Sequence, residues 1–208
     1  MFRLSQKSYI LIAQLFSDGS SNISYLATYS TNRKRLVVIL VVLMLYGLSV
    51  HLSFQVAFYL NNYTRSADLV TAVSRIRYGG YPANLSAALN AVRSDIFTAS
   101  NGARQDPSVL RLAVVFVTET PSSFRLSTLI EARQAADKDI GIVTVGVGSF
   151  VNRQLLSSIT SYPGSKNMFI VPSVRNVPGL ADTIKNIICS GILDDNSFVV
   201  FYCDYEAH

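Results

Sequence analysis

The strongest hydrophobic signal in the chain is residues 111–120, RLAVVFVTET, where Leu112 through Val117 form six consecutive apolar positions. Four of the six are β-branched or aromatic, which suits a strand buried on both faces of a parallel sheet rather than one with a wet face. The run ends in Thr118, Glu119, Thr120 and Pro121. An acidic side chain is thereby delivered to the carboxyl edge of the sheet, where open α/β folds bind their ligands.

From Phe54 onward the pattern alternates. Residues 55–60 (QVAFYL) predict a short strand, and Asn61 to Thr64 a polar turn. Ser66 can cap a helix with Leu69, Val70, Val73 and Ile76 on one face. After the breaker at 79–82 a second helix starts near Asn84, with Leu85, Ala88, Leu89, Val92, Ile96 and Phe97 at helical spacing and Asn101-Gly102 to stop it. The central strand is followed by a helix over 124–137 carrying Leu126, Leu129, Ile130 and Ala136. Next come a strand over 140–147, a short helix over 151–159, an edge strand over 167–171 and a last helix over 177–188. Strands alternating with helices predict a doubly wound, mostly parallel open α/β sheet. No internal repeat is present.

The first 54 residues depart from this order. Residues 9–16 (YILIAQLF) read either as a secretory signal or as a first core strand. No small-residue cleavage site follows them, and the polar loop Asp18-Gly19-Ser20-Ser21-Asn22 favours the strand. A second run, residues 36–50 extended to Phe54, follows the basic cluster Arg33-Lys34-Arg35. It is long enough for a signal anchor crossing a membrane, or it is the end of a first helix followed by the second core strand, both buried, and its many valines suit strand better than helix. A third reading leaves residues 1–54 outside the fold altogether, as a gene-model artefact. The tail, 192–208, is a stray strand or a disordered end.

Composition narrows the function. Apolar residues make up 50% and charged ones 15% of the 208 residues, which excludes an intrinsically disordered chain. The net charge of +5 sits entirely in residues 1–65, which hold six Lys/Arg against Asp18, whereas 66–208 hold twelve of each sign. No basic stripe supports nucleic-acid binding. Only His51 and His208 could serve a nucleophilic triad, one in an apolar run and one at the terminus, so an enzyme is not expected. Gly146-Val147-Gly148 lacks the third glycine of a dinucleotide loop. Cys189 and Cys203 can pair with each other, bridge to another chain or stay reduced. Asn22, Asn62 and Asn84 head N-x-Ser/Thr triplets, glycosylation acceptors if the chain is secreted.

The phrases QVAFYLNNYTRSADLVTAVSRI, GGYPANLSAALNAVRSDIF, ASNGAR, RLAVVFVTE, IVTVGVGSF and DTIKNIICSG, in that order, resemble the von Willebrand factor type A (VWA) domain of matrilins and collagen VI. The likeness covers residues 55–191, leaving a divergent 1–54 and a tail over 192–208. It implies a Rossmann-like fold with a metal-ion-dependent adhesion site (MIDAS) at the top of the sheet. There, hard oxygens from three loops hold Mg²⁺ or Mn²⁺ and leave one position for a partner's carboxylate. By that resemblance Asp18 and Ser20 keep two ligand places, Asn22 replaces a serine, Ala83 stands at the threonine and Glu119 replaces an aspartate.

A degenerate site is therefore expected, since Mg²⁺ demands near-ideal geometry at about 2.1 Å. The expected protein is a secreted, non-enzymatic adhesion module. It would bind a matrix protein such as collagen, or itself, through Ser21, Tyr81, Thr120 and Ser149, loop residues at the carboxyl edge. A membrane-anchored form with its span at 36–54 is the alternative.

Overall fold

The computed structural model describes residues 8–12, 29–30, 35–42, 56–65, 68–69, 71–72, 75, 84–106, 109–118, 125–180 and 183–184. In chain order these contain β1 (Ser8–Ile12), β2 (Tyr29–Ser30), β3 (Arg35–Val42), α1 (Leu85–Ala91), β4 (Leu110–Val117), α2 (Arg125–Ala136), β5 (Ile140–Val147), α3 (Arg153–Ile159), a single helical turn α4 (Gly164–Asn167) and β6 (Met168–Val171). The strands lie in the order β2-β1-β3-β4-β5-β6. All neighbours pair parallel except β2, which runs antiparallel along β1. The chain steps to one side from β1 to β2, then returns across β1 to build β3 to β6 on the other. The result is a doubly wound, mostly parallel open sheet of the Rossmann-like type.

The apolar run of β4 occupies the interior of this sheet. It is flanked by β3 over its whole length, from Arg35 opposite Leu110 to Val42 opposite Val117, and by β5 from Arg111 opposite Ile140 to Val117 opposite Gly146. Leu112 to Val115 and Val117 are fully buried, and Phe116 nearly so. Ala113, Val115 and Val117 share one core with the helices, while Leu112, Val114 and Phe116 point to the opposite face, as the two-residue period of a strand requires. Both faces are dry, which is why the run has no polar alternation.

The first apolar runs contribute strands. β1 covers part of the 9–16 run, but its neighbour is β3, not β4. β3 takes up the beginning of the 36–54 run, so residues 35–42 form a sheet strand where a membrane helix would have had to start. No helix among the described residues is long and apolar enough to cross a membrane. Residues 43–55 lie outside the described set.

The strand expected at 55–60 is not formed. Residues 56–59 have no regular structure and enter a turn at Leu60, closed by the Asn62 amide donating to the Tyr59 carbonyl at 3.2 Å. Side chains hold this segment instead of a β-ladder. Phe58 and Leu60 are buried, the Phe58 and Tyr63 rings meet edge to face at 5.3 Å, and the Tyr59 hydroxyl donates to Asp95 at 3.0 Å. Residues 68, 69, 71 and 72 are helical with Leu69 buried, Arg75 is in a turn with its backbone amide donating to the Ala72 carbonyl at 3.1 Å, and the rest of that expected helix lies outside the described residues.

α1 forms as its spacing dictates. The Asn84 side chain caps it by accepting from the Ala87 amide at 3.0 Å. Leu85, Ala88, Leu89, Val92, Ile96 and Phe97 are all buried. Its end widens into a π-helical turn over Val92–Ile96, and Gly102 then reverses the chain with φ +92°.

α2 lies within the expected 124–137, and Leu129 packs against the core as expected, but the fully buried face is a different one. Thr128, Ala132 and Ala135 are buried, whereas Leu126 and Ile130 are 72% and 48% exposed and Ala136 is exposed. At 100° per residue the two sets lie roughly half a turn apart. Polar groups set the rotation. Glu131 receives the Arg93 guanidinium at 3.0 Å and the Asn90 amide at 3.1 Å, and both donors are on the α1 side. Small residues on that face let the helices approach.

β5 spans the expected 140–147. Thr144, fully buried among apolar neighbours, is satisfied by a 2.6 Å hydrogen bond with the Thr160 hydroxyl. α3 and β6 begin two and one residues later than expected. Of the last helix, residues 183–184 are helical and Ile184 is fully buried.

Candidate functional site

In a parallel sheet the loops that leave the strands gather at the carboxyl edge, and each following helix begins there. The described part of this edge comprises Thr118 after β4, the turn Gly148-Ser149-Phe150 after β5, residues 172–176 after β6, and the amino ends of α1, α2 and α3. Two glycines shape the β5 corner for different reasons. A methyl group on Gly146 would stand 2.7 Å from Ile170 Cδ1 and 2.9 Å from Leu156 Cδ1, so the strand can lie against α3 and β6 only without a side chain. Gly148 has open space around it but takes φ +90°, and its amide donates to the Val171 carbonyl at 2.8 Å. The chain therefore turns sharply and projects Ser149 and Phe150 outward, and Phe150 is 71% exposed. Asn152 next caps α3 by accepting from the Leu155 amide at 3.0 Å.

Of the residues singled out from the sequence, Ser149, Asn62 and Asn84 are described. Ser149 is exposed at the carboxyl edge, Asn62 is exposed in the turn after residue 60, and Asn84 is half-buried as the α1 cap. Asp18, Ser20, Ser21, Asn22, Tyr81, Ala83, Glu119, Thr120, Cys189 and Cys203 lie outside the described residues. Their nearest strands are placed, however. β1 precedes Asp18 and β4 precedes Glu119, and β3 runs between the two. Among the described residues no three His, Cys, Asp or Glu side chains group as metal ligands.

Sequence reasoning missed Phe150 and Leu126. The signal was present for Phe150, a large aromatic two residues after the glycine that follows β5, in a turn rather than a periodic element. For Leu126, in the first turn of α2 and so at the same edge, the amphipathic pattern pointed the wrong way.

An open, mostly parallel sheet with a helical layer and its exposed loops on the carboxyl edge belongs to the doubly wound α/β class. Within that class, the von Willebrand factor type A domain profile matches residues 38–183, more than two thirds of the chain. The chain belongs to the VWA family. The match begins inside β3, after Asp18, Ser20 and Asn22.

Solved structures of a mussel byssus protein share the fold. Proximal thread matrix protein 1 of the mussel byssus superposes with a TM-score of 0.55 at 16% identity, over 64% of this chain and 32% of that one. The same byssus protein with a zinc-occupied MIDAS motif matches with a TM-score of 0.55 at 15% identity and the same coverage. The manganese-loaded TRAP protein of Plasmodium vivax matches at 18% identity over 57% of this chain and 48% of that one, with a TM-score of 0.42. The chain spans about a third of the length of the byssus protein it matches.

Proposed function

We propose that the chain is a non-enzymatic protein-interaction module acting outside the cell, which binds a matrix protein such as collagen, or a second copy of itself, through the carboxyl edge of its sheet. The observation that carries this reading is Phe150, an aromatic side chain held out at that edge by a glycine-built turn. Exposed aromatics that anchor in a partner's pocket supply a large share of interface energy. Ser149 beside it, with Ser21, Tyr81 and Thr120, would form the polar surround.

The adhesion site is degenerate in this reading. β3, the strand next to β4, is followed by Leu43, Met44, Leu45, Tyr46 and Gly47, none of which carries a carboxylate. Asp18 follows β1, one strand further out. These residues fit a three-loop Mg²⁺ or Mn²⁺ site poorly, so recognition rests on surface complementarity rather than on a bridging cation. The anchored alternative draws no support from residues 35–42, which are sheet.

Binding of the chain to immobilised collagens and matrix extracts tests the proposal. Saturable binding that is equal in EDTA and in Mg²⁺ or Mn²⁺, and weakened at least about tenfold by Phe150→Ala, is expected; the loss corresponds to about 1.4 kcal/mol. Absence of saturable binding to any of these, or to itself, would overturn it. A saturable calorimetric Mn²⁺ signal abolished by Asp18→Ala would overturn the degenerate site alone.

A further inference from the structure

We propose that Asn62 carries an N-linked glycan at the amino edge of the sheet, and that the carboxyl edge is left bare for the partner. This rests on the extracellular reading above. The triplet Asn62-Tyr63-Thr64 meets the acceptor pattern, and its fold presents it outward. Asn62 and Thr64 are exposed, while the intervening Tyr63 is half-buried with its ring against Phe58. The Asn62 carbonyl oxygen accepts from the Tyr59 amide at 2.6 Å, which fixes the side chain through Oδ1 and leaves the modification to Nδ2.

The position of this turn follows from its contacts. The neighbouring Asn61 donates to the Ser100 carbonyl at 3.0 Å, and its backbone lies against Gly102. Residues 97–102 follow the far end of α1 and lead into the first residue of β4, which places them at the amino edge, opposite Phe150.

Asn84-Leu85-Ser86 has the other geometry. Leu85 is buried, Asn84 and Ser86 are half-buried, and Asn84 caps α1 at the carboxyl edge, where a glycan would stand among the interaction loops. In the transfer itself Asn62 Nδ2 bonds to C1 of the first sugar of a polyprenyl-diphosphate-linked oligosaccharide. The C1–O bond breaks, the lipid diphosphate leaves with the electron pair, and the amide gives up one proton.

The test is the full chain secreted from eukaryotic cells behind a heterologous cleavable signal, with glycosidase-induced conversion of asparagine to aspartate mapped by mass spectrometry. Conversion at Asn62 is expected, lost in Thr64→Ala and Asn62→Gln, and retained in Thr64→Ser and Asn84→Gln. Thr64→Ala leaves the Asn62–Tyr59 hydrogen bond in place, so it reports on the acceptor even if Asn62→Gln misfolds. Secreted protein unmodified at Asn62 overturns the proposal, and conversion at Asn84, or at Asn22 in the loop that the family resemblance puts at the same edge, overturns its bare-edge half. A parallel arm applies the same secreted protein to immobilised collagens, matrix extracts and itself. Failure of that arm alone sinks the interaction reading and leaves the acceptor assignment standing.

Discussion

Glu131 is the side chain whose loss should cost most for its size. It receives Arg93 through Nε at 3.3 Å and Nη2 at 3.0 Å, and the Asn90 amide at 3.1 Å, joining α2 to α1. The two charged side chains are only 18% and 16% exposed, unlike the surface pairs Arg133–Asp137, at 83% and 63%, and Arg65–Asp68, at 76% and 52%. Hydrogen bonds to a charged group are worth about 1.5–3 kcal/mol net, and the remaining solvent exposure screens the pair, so Glu131→Ala should destabilise by about 2–4 kcal/mol. For a domain of this size that is a fall in Tm of roughly 5–15 °C.

Asp137→Ala should change stability by less than about 0.5 kcal/mol, because exposed pairs gain little over water. Urea unfolding followed by circular dichroism measures both variants, and the m-value should not change. The decisive quantity is the Arg93→Met/Glu131→Ala double-mutant cycle, which keeps the apolar arginine stem. A coupling of about 1–2 kcal/mol is expected, and a value below about 0.5 would show that Glu131 does not set the rotation of α2.

Gly146→Ala should cost about 1–3 kcal/mol by overpacking against Ile170 and Leu156, read in the same unfolding assay, and neutrality would mean the β5–α3 contact is loose. Phe150→Ala, by contrast, should leave stability within about 0.5 kcal/mol while weakening partner binding, because 71% of the ring is already in water. The Tyr59 hydroxyl should ionise above the ordinary tyrosine range, first because it donates to Asp95 and then because of desolvation and the nearby carboxylate charge. A raised folded-state pKa means the native state holds this proton more tightly. Its contribution is therefore complete below the unfolded pKa near 10 and lost as pH rises through the folded value. Phenolate absorbance should show one late-titrating tyrosine that disappears in Tyr59→Phe, and a normal titration would break the Tyr59–Asp95 assignment.

Strands buried on both faces were the easiest elements to recognise in the sequence, since the interiors of β4 and β5 are almost wholly apolar and admit no competing period. α1 was equally plain, because each of its apolar positions points at one core. The candidate site was legible only as a location: an acidic residue and several loops at one edge, with Ser149 the member whose exposure the structure describes. The 55–60 segment and α2 misled for a shared reason. Alternation and amphipathicity report which residues avoid water on average, and both segments are held by polar contacts to distant partners, Tyr59 to Asp95 and Glu131 to Arg93.

The sequence alone determined that an α/β sheet would form around residues 112–117, because an apolar run this short and this rich in β-branched residues, set between helical repeats, is buried on both sides as an interior parallel strand. Tertiary structure decided which neighbour each strand took, with β3 rather than β1 beside β4, and which face of α2 met the core. It also decided that Phe150 would stand in solvent. Those outcomes depend on pairings between residues far apart in the chain, and a local period carries no information about them.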